Sequence, residues 1–243
     1  MPHITHSKIR LAAGLALFSG TAAGAAYEIF CPKATFFGKV ATHGPRKNHA
    51  VGIVFDQTPN PSTAAACRRL HELSVPATFF IEGKRARAFP RTTAPIQAFE
   101  IGIHGEVYKP LIFKKEQEIR RNLRPAIDLA LDLQNKGARY FMPPYGFKDL
   151  GLIRTANAMG LTVINPARTL RIKPAPGGCN HIKRSIEEAV TRLLYNIKPG
   201  DIILIPWSQR YGTAEMIPDI LTELLVGLKA LGLSPWGLRA LAG

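Results

Sequence analysis

The sequence predicts an α/β protein with a parallel sheet, and two observations carry this prediction. From about residue 50, short runs of β-type residues alternate with amphipathic segments of helical length. The short runs are nearly all apolar, as expected for parallel strands that are buried on both faces. The predicted strands span residues 50–55, 77–81, 99–103, 140–142, 162–165 and 201–205.

Between the predicted strands, apolar side chains recur at about every fourth position. This spacing places one apolar stripe on each of three predicted helices. The stripes are Ile119, Leu123, Ile127 and Leu131; Ile182, Ile186, Val190 and Leu194; and Ile217, Leu221, Leu224 and Leu228. Strand and helix units continue on both sides of the Pro- and Gly-rich loop at residues 171–180, so we predict one domain over residues 50–243. Periodicity alone leaves open a small barrel or an open doubly wound sheet.

Residues 1–27 have the pattern of a signal peptide or an N-terminal membrane anchor. Lys8 and Arg10 precede an uncharged stretch rich in Ala, Gly and Leu, with small residues at positions 23–25. The stretch is short for a spanning helix and slightly long for a signal core, so both alternatives stay open. Its glycines argue against a buried core helix. We expect an exported protein, membrane-anchored or periplasmic or secreted, with residues 28–49 as a lead-in segment.

The charge balance favours anionic partners. The chain has 32 Lys and Arg against 17 Asp and Glu, a formal net charge of +15, which attracts anionic membrane, envelope polymer and nucleic acid. Nucleic-acid binding is disfavoured because the chain has an export pattern and no recognised nucleic-acid module. No phosphate-cradling glycine motif follows a predicted strand, which argues against nucleotide-dependent chemistry. Cys31, Cys67 and Cys179 form no C-x-x-C pair, so no thiolate metal site or redox motif is indicated.

Reactive groups of α/β folds collect at the carboxyl ends of the strands, and this sequence carries ordered motifs there. The segments VFDQTPNP (54–61) and PATFFIEG (76–83) resemble the opening of the polysaccharide deacetylase family, the NodB-homology domain of carbohydrate esterase family 4. FEIGIH (99–104) resembles the histidine motif of that family, FMPPYG (141–146) its arginine-proline loop, and GDIILI (200–205) its last strand. The resemblance covers about residues 36–232 and implies a distorted (β/α) barrel.

The resemblance also implies a metal-dependent hydrolase that removes acetyl groups from N-acetylated sugars. In that family the first motif holds a catalytic base, here Asp56, followed by an aspartate that binds the metal, here Gln57. Two histidines four residues apart complete the metal site, and here these positions hold His104 and Tyr108. The resemblance therefore keeps the base and one of three metal ligands. Without the resemblance, Asp56 also fits a turn or helix cap and His104 a hydrogen-bonded structural histidine.

The later motifs also lack residues that the family uses in catalysis. Met142 stands where the family has an arginine that orients the catalytic aspartate, and Pro206 where it has a histidine that acts as general acid. No acidic residue between positions 149 and 187 matches the aspartate of the fourth motif. The loop Pro143, Pro144, Tyr145, Gly146 remains, and Tyr145 and Trp207 offer aromatic faces to a sugar ring. These five residues are the expected substrate-binding set.

Two functional hypotheses follow. A metal lowers the pKa of its bound water from 15.7 to about 7, and an amide or a neutral phenol is a poor zinc ligand. We therefore expect no cofactor and a catalytically impaired polysaccharide deacetylase-like protein of the cell envelope that binds glycan or lipid-linked sugar. The alternative is an active hydrolase of carbon–nitrogen bonds that deacetylates an N-acetylated sugar with an altered zinc or other divalent-metal site, in which Glu106 replaces a ligand.

Overall fold

The computed structural model describes residues 40–166, 168–172, 179–206 and 213–242. Its strands all pair in parallel within one sheet. They are β1 (Val40–Ala41), β2 (Ala50–Thr58), β3 (Thr78–Glu82), β4 (Glu100–Gly105), β5 (Tyr140–Phe141), β6 (Thr162–Ile164), β7 (Arg168–Thr169), β8 (Ile202–Ile205) and β9 (Ser234–Trp236). The order across the sheet is β1-β6-β5-β4-β3-β2-β8-β7, with β9 also beside β2.

This sheet confirms the predicted α/β fold of the barrel type. It curls into a half-barrel, and within the described residues β1 and β7 are its two edges. All six predicted strands are present. Strands β1, β7 and β9 were not predicted, because two or three residues are too short to show a periodic pattern.

Helices connect the strands. They are α1 (Thr63–Glu72), α2 (Gly83–Ala88), α3 (Pro90–Thr93), α4 (Glu116–Gln134), α5 (Leu150–Ala158), α6 (Cys179–Tyr195), α7 (Thr213–Ala230) and α8 (Leu238–Ala242). Ile119 and Leu123 of α4 are fully buried, as predicted, whereas Leu131 is 48% exposed. A strict four-residue repeat drifts about 120° around an α-helix over twelve residues, so Ala126 and Ala130 take the buried face instead.

The strands are buried on both faces, because alternate residues of one strand enter two different clusters. Val51 and Ile53 of β2 pack in the main core between sheet and helices. Val54 packs in a smaller cluster inside the curl, which Leu238 and Leu241 of α8 help to fill. A Cβ atom on Gly52 would lie 3.0 Å from Leu241 and 3.1 Å from Leu238, so glycine leaves the space that α8 occupies. Continuous apolar runs are thus explained by two-sided burial.

Part of the predicted lead-in segment is built into the fold. Strand β1 pairs with β6, and the Gly44 N–H donates to the Gly200 carbonyl at 2.7 Å. Asp201, whose side chain is 2% exposed, accepts from Arg46 at 2.6 Å and from Arg168 at 2.8 Å. The predicted signal or anchor at residues 1–27 lies outside the described residues. Among the residues described here, no helix has the length and apolar character needed to span a membrane.

Candidate functional site

A cleft of about 240 Å³ opens at the carboxyl ends of the parallel strands. It is lined by residues of β2, β4, β7 and β8 and by residues that follow β4, β5 and β6, as expected for a site in an α/β fold. Seven residues singled out in the sequence line this cleft: Asp56, His104, Tyr108, Met142, Pro143, Tyr145 and Gly146. Motifs that are up to 90 residues apart in the chain therefore meet at one place.

A β-bulge at the end of β2 positions Asp56. The register of β2 against β3 shifts between Phe55 and Thr58, and Gln57 has a φ of 51°. A bulge re-aims the side chains at the end of a strand, and a left-handed residue other than glycine is a form of strain that clusters at functional sites. The Asp56 side chain is 14% exposed and lies on the wall of the cleft.

His104 lies on β4 directly beside Asp56. Its side chain is 1% exposed, and its Nε2 atom lies 2.6 Å from Oδ1 of Asp56. Nδ1 lies 2.7 Å from the Met142 carbonyl oxygen. Because a carbonyl only accepts, Nδ1 carries a hydrogen, and the lone pair of a neutral Nε2 then points at the carboxylate. Oδ1 of Asp56 is buried and has no partner other than His104 among the described residues, and Nε2 of His104 also accepts from the Gln57 N–H at 3.4 Å.

Helix α4 holds the turn that carries Tyr108. Strand β4 ends at Gly105, whose φ is 108°, and a Cβ atom there would lie 2.0 Å from Oδ1 of Asn122. The Glu106 N–H donates to the Asn122 carbonyl at 2.7 Å, and the Asn122 amide donates to the Val107 carbonyl at 3.3 Å. Only glycine fits this close approach, so the chain turns at once and places Tyr108 over the His104 ring.

A row of aromatic rings leads from the floor of the cleft to the surface. The ring centroids of His104 and Tyr108 are 4.9 Å apart, those of Tyr108 and Tyr145 are 4.9 Å apart, and those of Tyr145 and Phe147 are 5.8 Å apart. Tyr145 is 57% exposed. Burial, reinforced by the charge of Asp56, raises the pKa of the Tyr108 hydroxyl to about 12. Tyr108 is therefore a neutral phenol at physiological pH.

Asn165, which follows β6, holds the loop after β5. Its side-chain amide donates to the Gly146 carbonyl at 3.1 Å. The Tyr145 N–H donates to the Tyr108 hydroxyl at 3.2 Å, and Tyr145 has a φ of 59°. These contacts fix the Tyr145 ring at the mouth of the cleft, where its outer face meets solvent.

The family model described as polysaccharide deacetylase matches residues 43–164, which is half of the chain. The chain belongs to the polysaccharide deacetylase family. Members of this family bind acetylated glycans. The match covers β2 to β6, and therefore the strands that carry Asp56 and His104.

Individual members and solved structures agree with this assignment. A chitooligosaccharide deacetylase of Azorhizobium caulinodans is 29% identical over 160 residues, which cover 64% of this chain and 72% of that protein. The Bc1960 peptidoglycan N-acetylglucosamine deacetylase superposes with a TM-score of 0.70 at 21% identity, covering 84% of this chain and 92% of that one. A CE4 family pseudoenzyme from Bacillus anthracis superposes with a TM-score of 0.67 at 21% identity, covering 82% and 67%. At these identities the solved structures show the shared fold.

The donor atoms at the family's metal position do not fit a divalent metal. Gln57 offers an amide and Tyr108 a neutral phenol, and both are poor zinc ligands. Nε2 of His104 lies 2.6 Å from the Asp56 carboxylate, and Nδ1 lies 2.7 Å from the Met142 carbonyl oxygen, so both imidazole nitrogens already have partners. Across the described ranges, no group of three His, Cys, Asp or Glu side chains is arranged to hold a metal.

Glu106, the acid considered as a replacement ligand, faces away from this position. Its carboxylate forms an ion pair with Arg87. Its backbone carbonyl accepts from the Lys84 N–H at 2.9 Å, which ties the turn to α2. Moving Glu106 into the cleft would break this ion pair.

Only some residues of the predicted substrate-binding set line the cleft. Pro143, Tyr145 and Gly146 line the cleft, whereas Pro144 is buried and does not. Trp207 lies outside the described residues. Four further residues complete the lining: Asn165, Pro166, Thr169 and Leu204. Asn165 is recognisable in the sequence because it ends a predicted strand, but Thr169 lies on a two-residue strand that has no sequence signal.

Proposed function

We propose that this polysaccharide deacetylase family member is a catalytically impaired, glycan-binding protein of the cell envelope, whose ligand is an N-acetylated glycan or lipid-linked sugar. The observation that carries the proposal is the close pairing of Asp56 with His104. This pairing engages the carboxylate that would act as base and the imidazole nitrogen that would bind a metal. The envelope location rests on the N-terminal sequence pattern.

The chemistry missing from the cleft supports impaired catalysis. Amide hydrolysis at neutral pH needs an activated water and an acid that protonates the leaving amine. Met142 is 4% exposed and packs inside the curl, where its thioether supplies no positive charge to Asp56. Pro206, at the end of β8, has no proton to donate. General acid catalysis alone contributes roughly 10²- to 10⁴-fold in rate, so the loss of both functions is large.

The features that hold a sugar are retained. Tyr145 presents a fixed, half-exposed ring beside a cleft with polar groups on Asn165 and Thr169. Aromatic faces pack against the apolar face of a sugar ring, while amide and hydroxyl groups bind its hydroxyls. Binding without turnover needs only these groups.

The second candidate, an active hydrolase with an altered site, is favoured by one observation. Asp56 and His104 both line the cleft, 2.6 Å apart, and a carboxylate paired with an imidazole is a unit that general acid–base catalysis uses. This candidate predicts acetate release that is abolished by Asp56→Asn.

One set of measurements tests both candidates. The full-length protein is purified in detergent, and its metal content, acetate release and binding of acetylated chitooligosaccharides are measured. We expect well under one equivalent of zinc, no acetate release, and binding that Tyr145→Asn weakens about fivefold to tenfold, since a stacked ring contributes about 1 kcal/mol. Asparagine tolerates the left-handed backbone at this position.

Phe89→Asn is the matched control, because Phe89 is 55% exposed and does not line the cleft. It should leave glycan binding unchanged. Stoichiometric zinc with turnover that depends on Asp56 would refute the binding proposal in favour of the hydrolase. Glycan binding unaffected by Tyr145→Asn would show that the cleft is not the binding site.

A further inference from the structure

A second groove adjoins the cleft. Its volume is about 350 Å³, and it shares Pro166 and Thr169 with the cleft, so the two are continuous along the end of β7. Its other lining residues are Arg168, Arg171, Ala189, Arg192 and Leu193. A glycan that occupies the cleft can therefore extend along the end of β7 into this groove.

The groove is strongly cationic. Three of its seven lining residues are arginines and none is acidic. Arg168 is paired with Asp201 at 2.8 Å, which neutralises it. Arg171 and Arg192 are exposed, and neither forms an ion pair with any residue that the structure describes. Two uncompensated guanidinium groups thus line the same groove.

The dipole of α6 gives a structural reason for only one of these two arginines. Arg192 lies in the last turn of α6, where a cation interacts favourably with the helix dipole. Arg171 follows β7 and has no such partner. Like charges in one groove repel each other, so their placement is favourable when an anion lies between them.

We propose that this groove binds an anionic group, a carboxylate or a phosphate, on the sugar residue next to the one held in the cleft. Guanidinium groups donate paired N–H bonds that match both anions. Ala189 and Leu193 form an apolar wall for the carbon face of that sugar. The proposal rests on glycan binding in the cleft, and it narrows the ligand class to acidic N-acetylated glycans in place of neutral chitin-like ones.

Matched glycans test this directly on the full-length protein in detergent. The first ligand is an oligosaccharide that alternates N-acetylglucosamine with glucuronate. The second is the same oligosaccharide with its carboxyl groups reduced, and the third is a chitooligosaccharide that carries a single phosphate ester. Calorimetry at 0.1 M and 1 M salt measures affinity. We expect the charged glycans to bind at least tenfold tighter than the reduced one at low salt. This difference in affinity should shrink at 1 M salt, because the electrostatic screening length is shorter there.

Two double variants test whether the groove arginines cause the tighter binding of charged glycans. Arg171→Gln with Arg192→Gln should remove the tenfold advantage and leave binding of the reduced glycan within twofold. Arg91→Gln with Arg121→Gln removes the same charge from exposed residues outside the groove and should change neither affinity. A preference for the glucuronate over the phosphate ester, or the reverse, identifies which anion the groove takes.

The outcomes separate this proposal from the one on which it rests. Equal affinity for charged and reduced glycans, or equal loss in both double variants, overturns the anionic subsite and leaves glycan binding intact. Absence of binding for all three glycans overturns both proposals.

Discussion

Oδ1 of Asp56 lies 2.6 Å from Nε2 of His104, so the carboxylate at the position of the family's base pairs with the histidine of its metal site. Gln57 and Tyr108 occupy the other two positions of that metal site and give it neither a carboxylate nor a second imidazole. The substitutions remove two metal ligands, and the pairing engages the one that remains.

Restoring the family ligands should restore metal binding. We expect Gln57→Asp with Tyr108→His to bind about one equivalent of zinc, because a carboxylate and two imidazoles form a three-ligand site. Turnover should stay low, because position 142 still lacks the family's arginine and position 206 still lacks its general acid. Elemental analysis and calorimetry provide the measurement. The control is Gln57→Asn with Tyr108→Phe, which should bind none; a folded restored variant that binds no zinc would show that the strand ends have moved apart.

Asp201 should be important for stability, because it joins the residues before β2 to the start of β8. Asp201→Asn leaves Arg46 and Arg168 without their carboxylate, and since both arginines are partly exposed we expect a loss of about 2–3 kcal/mol in the free energy of unfolding. Asp128→Asn, which breaks an exposed pair with Arg124, should cost under about 0.5 kcal/mol. Denaturant unfolding measures both. Equal effects would show that burial of Asp201 is irrelevant.

The same carboxylate predicts a pH dependence. Burial by itself raises the pKa of Asp201, but hydrogen bonds from Arg168, Arg46 and the Lys198 N–H outweigh it and leave the pKa below its ordinary value of 3.8. The group therefore stabilises the fold fully above pH 3.8 and loses this contribution as the pH falls below it. Unfolding free energies should decline more steeply with acid in the wild type than in Asp201→Asn. Parallel declines would contradict the assignment.

Gly102 should not tolerate a methyl group. A Cβ atom there would lie 2.5 Å from the Phe80 ring, and this ring is fully buried, which leaves it little room to move. We expect Gly102→Ala to destabilise the protein by about 1–3 kcal/mol. Gly137→Ala is the control, because nothing lies within 4 Å of its added carbon, and it should be neutral or slightly stabilising. Thermal unfolding of the two variants distinguishes these results.

Cys67 should be unreactive in the folded protein. It is 4% exposed, and burial raises the pKa of its thiol to about 12. About one thiol in 10,000 is then ionised at pH 8, and only the thiolate reacts. Alkylation followed by peptide mass spectrometry should leave Cys67 unmodified until denaturant is added. Rapid labelling of the native protein would show that α1 opens from the sheet.

The sequence by itself determined the elements and the family. Apolar runs locate six strands, because a strand buried on both faces needs apolar side chains at every position and this requirement is local. The ordered motifs around Asp56, His104 and Gly146 also identify the family, because each motif is a short continuous stretch at the end of one strand. The replacements at positions 57 and 108 are also visible directly in the sequence.

The tertiary structure alone decided which atoms meet. The Met142 carbonyl orients His104, Asn165 holds Gly146, and Thr169 joins the cleft to the arginine groove. Each of these contacts depends on the order of strands in the sheet, where β6 lies beside β5, and β7 joins through β8 at the other edge. Local periodicity specifies how a segment folds but not its neighbour, so contacts between distant segments follow only from the curled sheet.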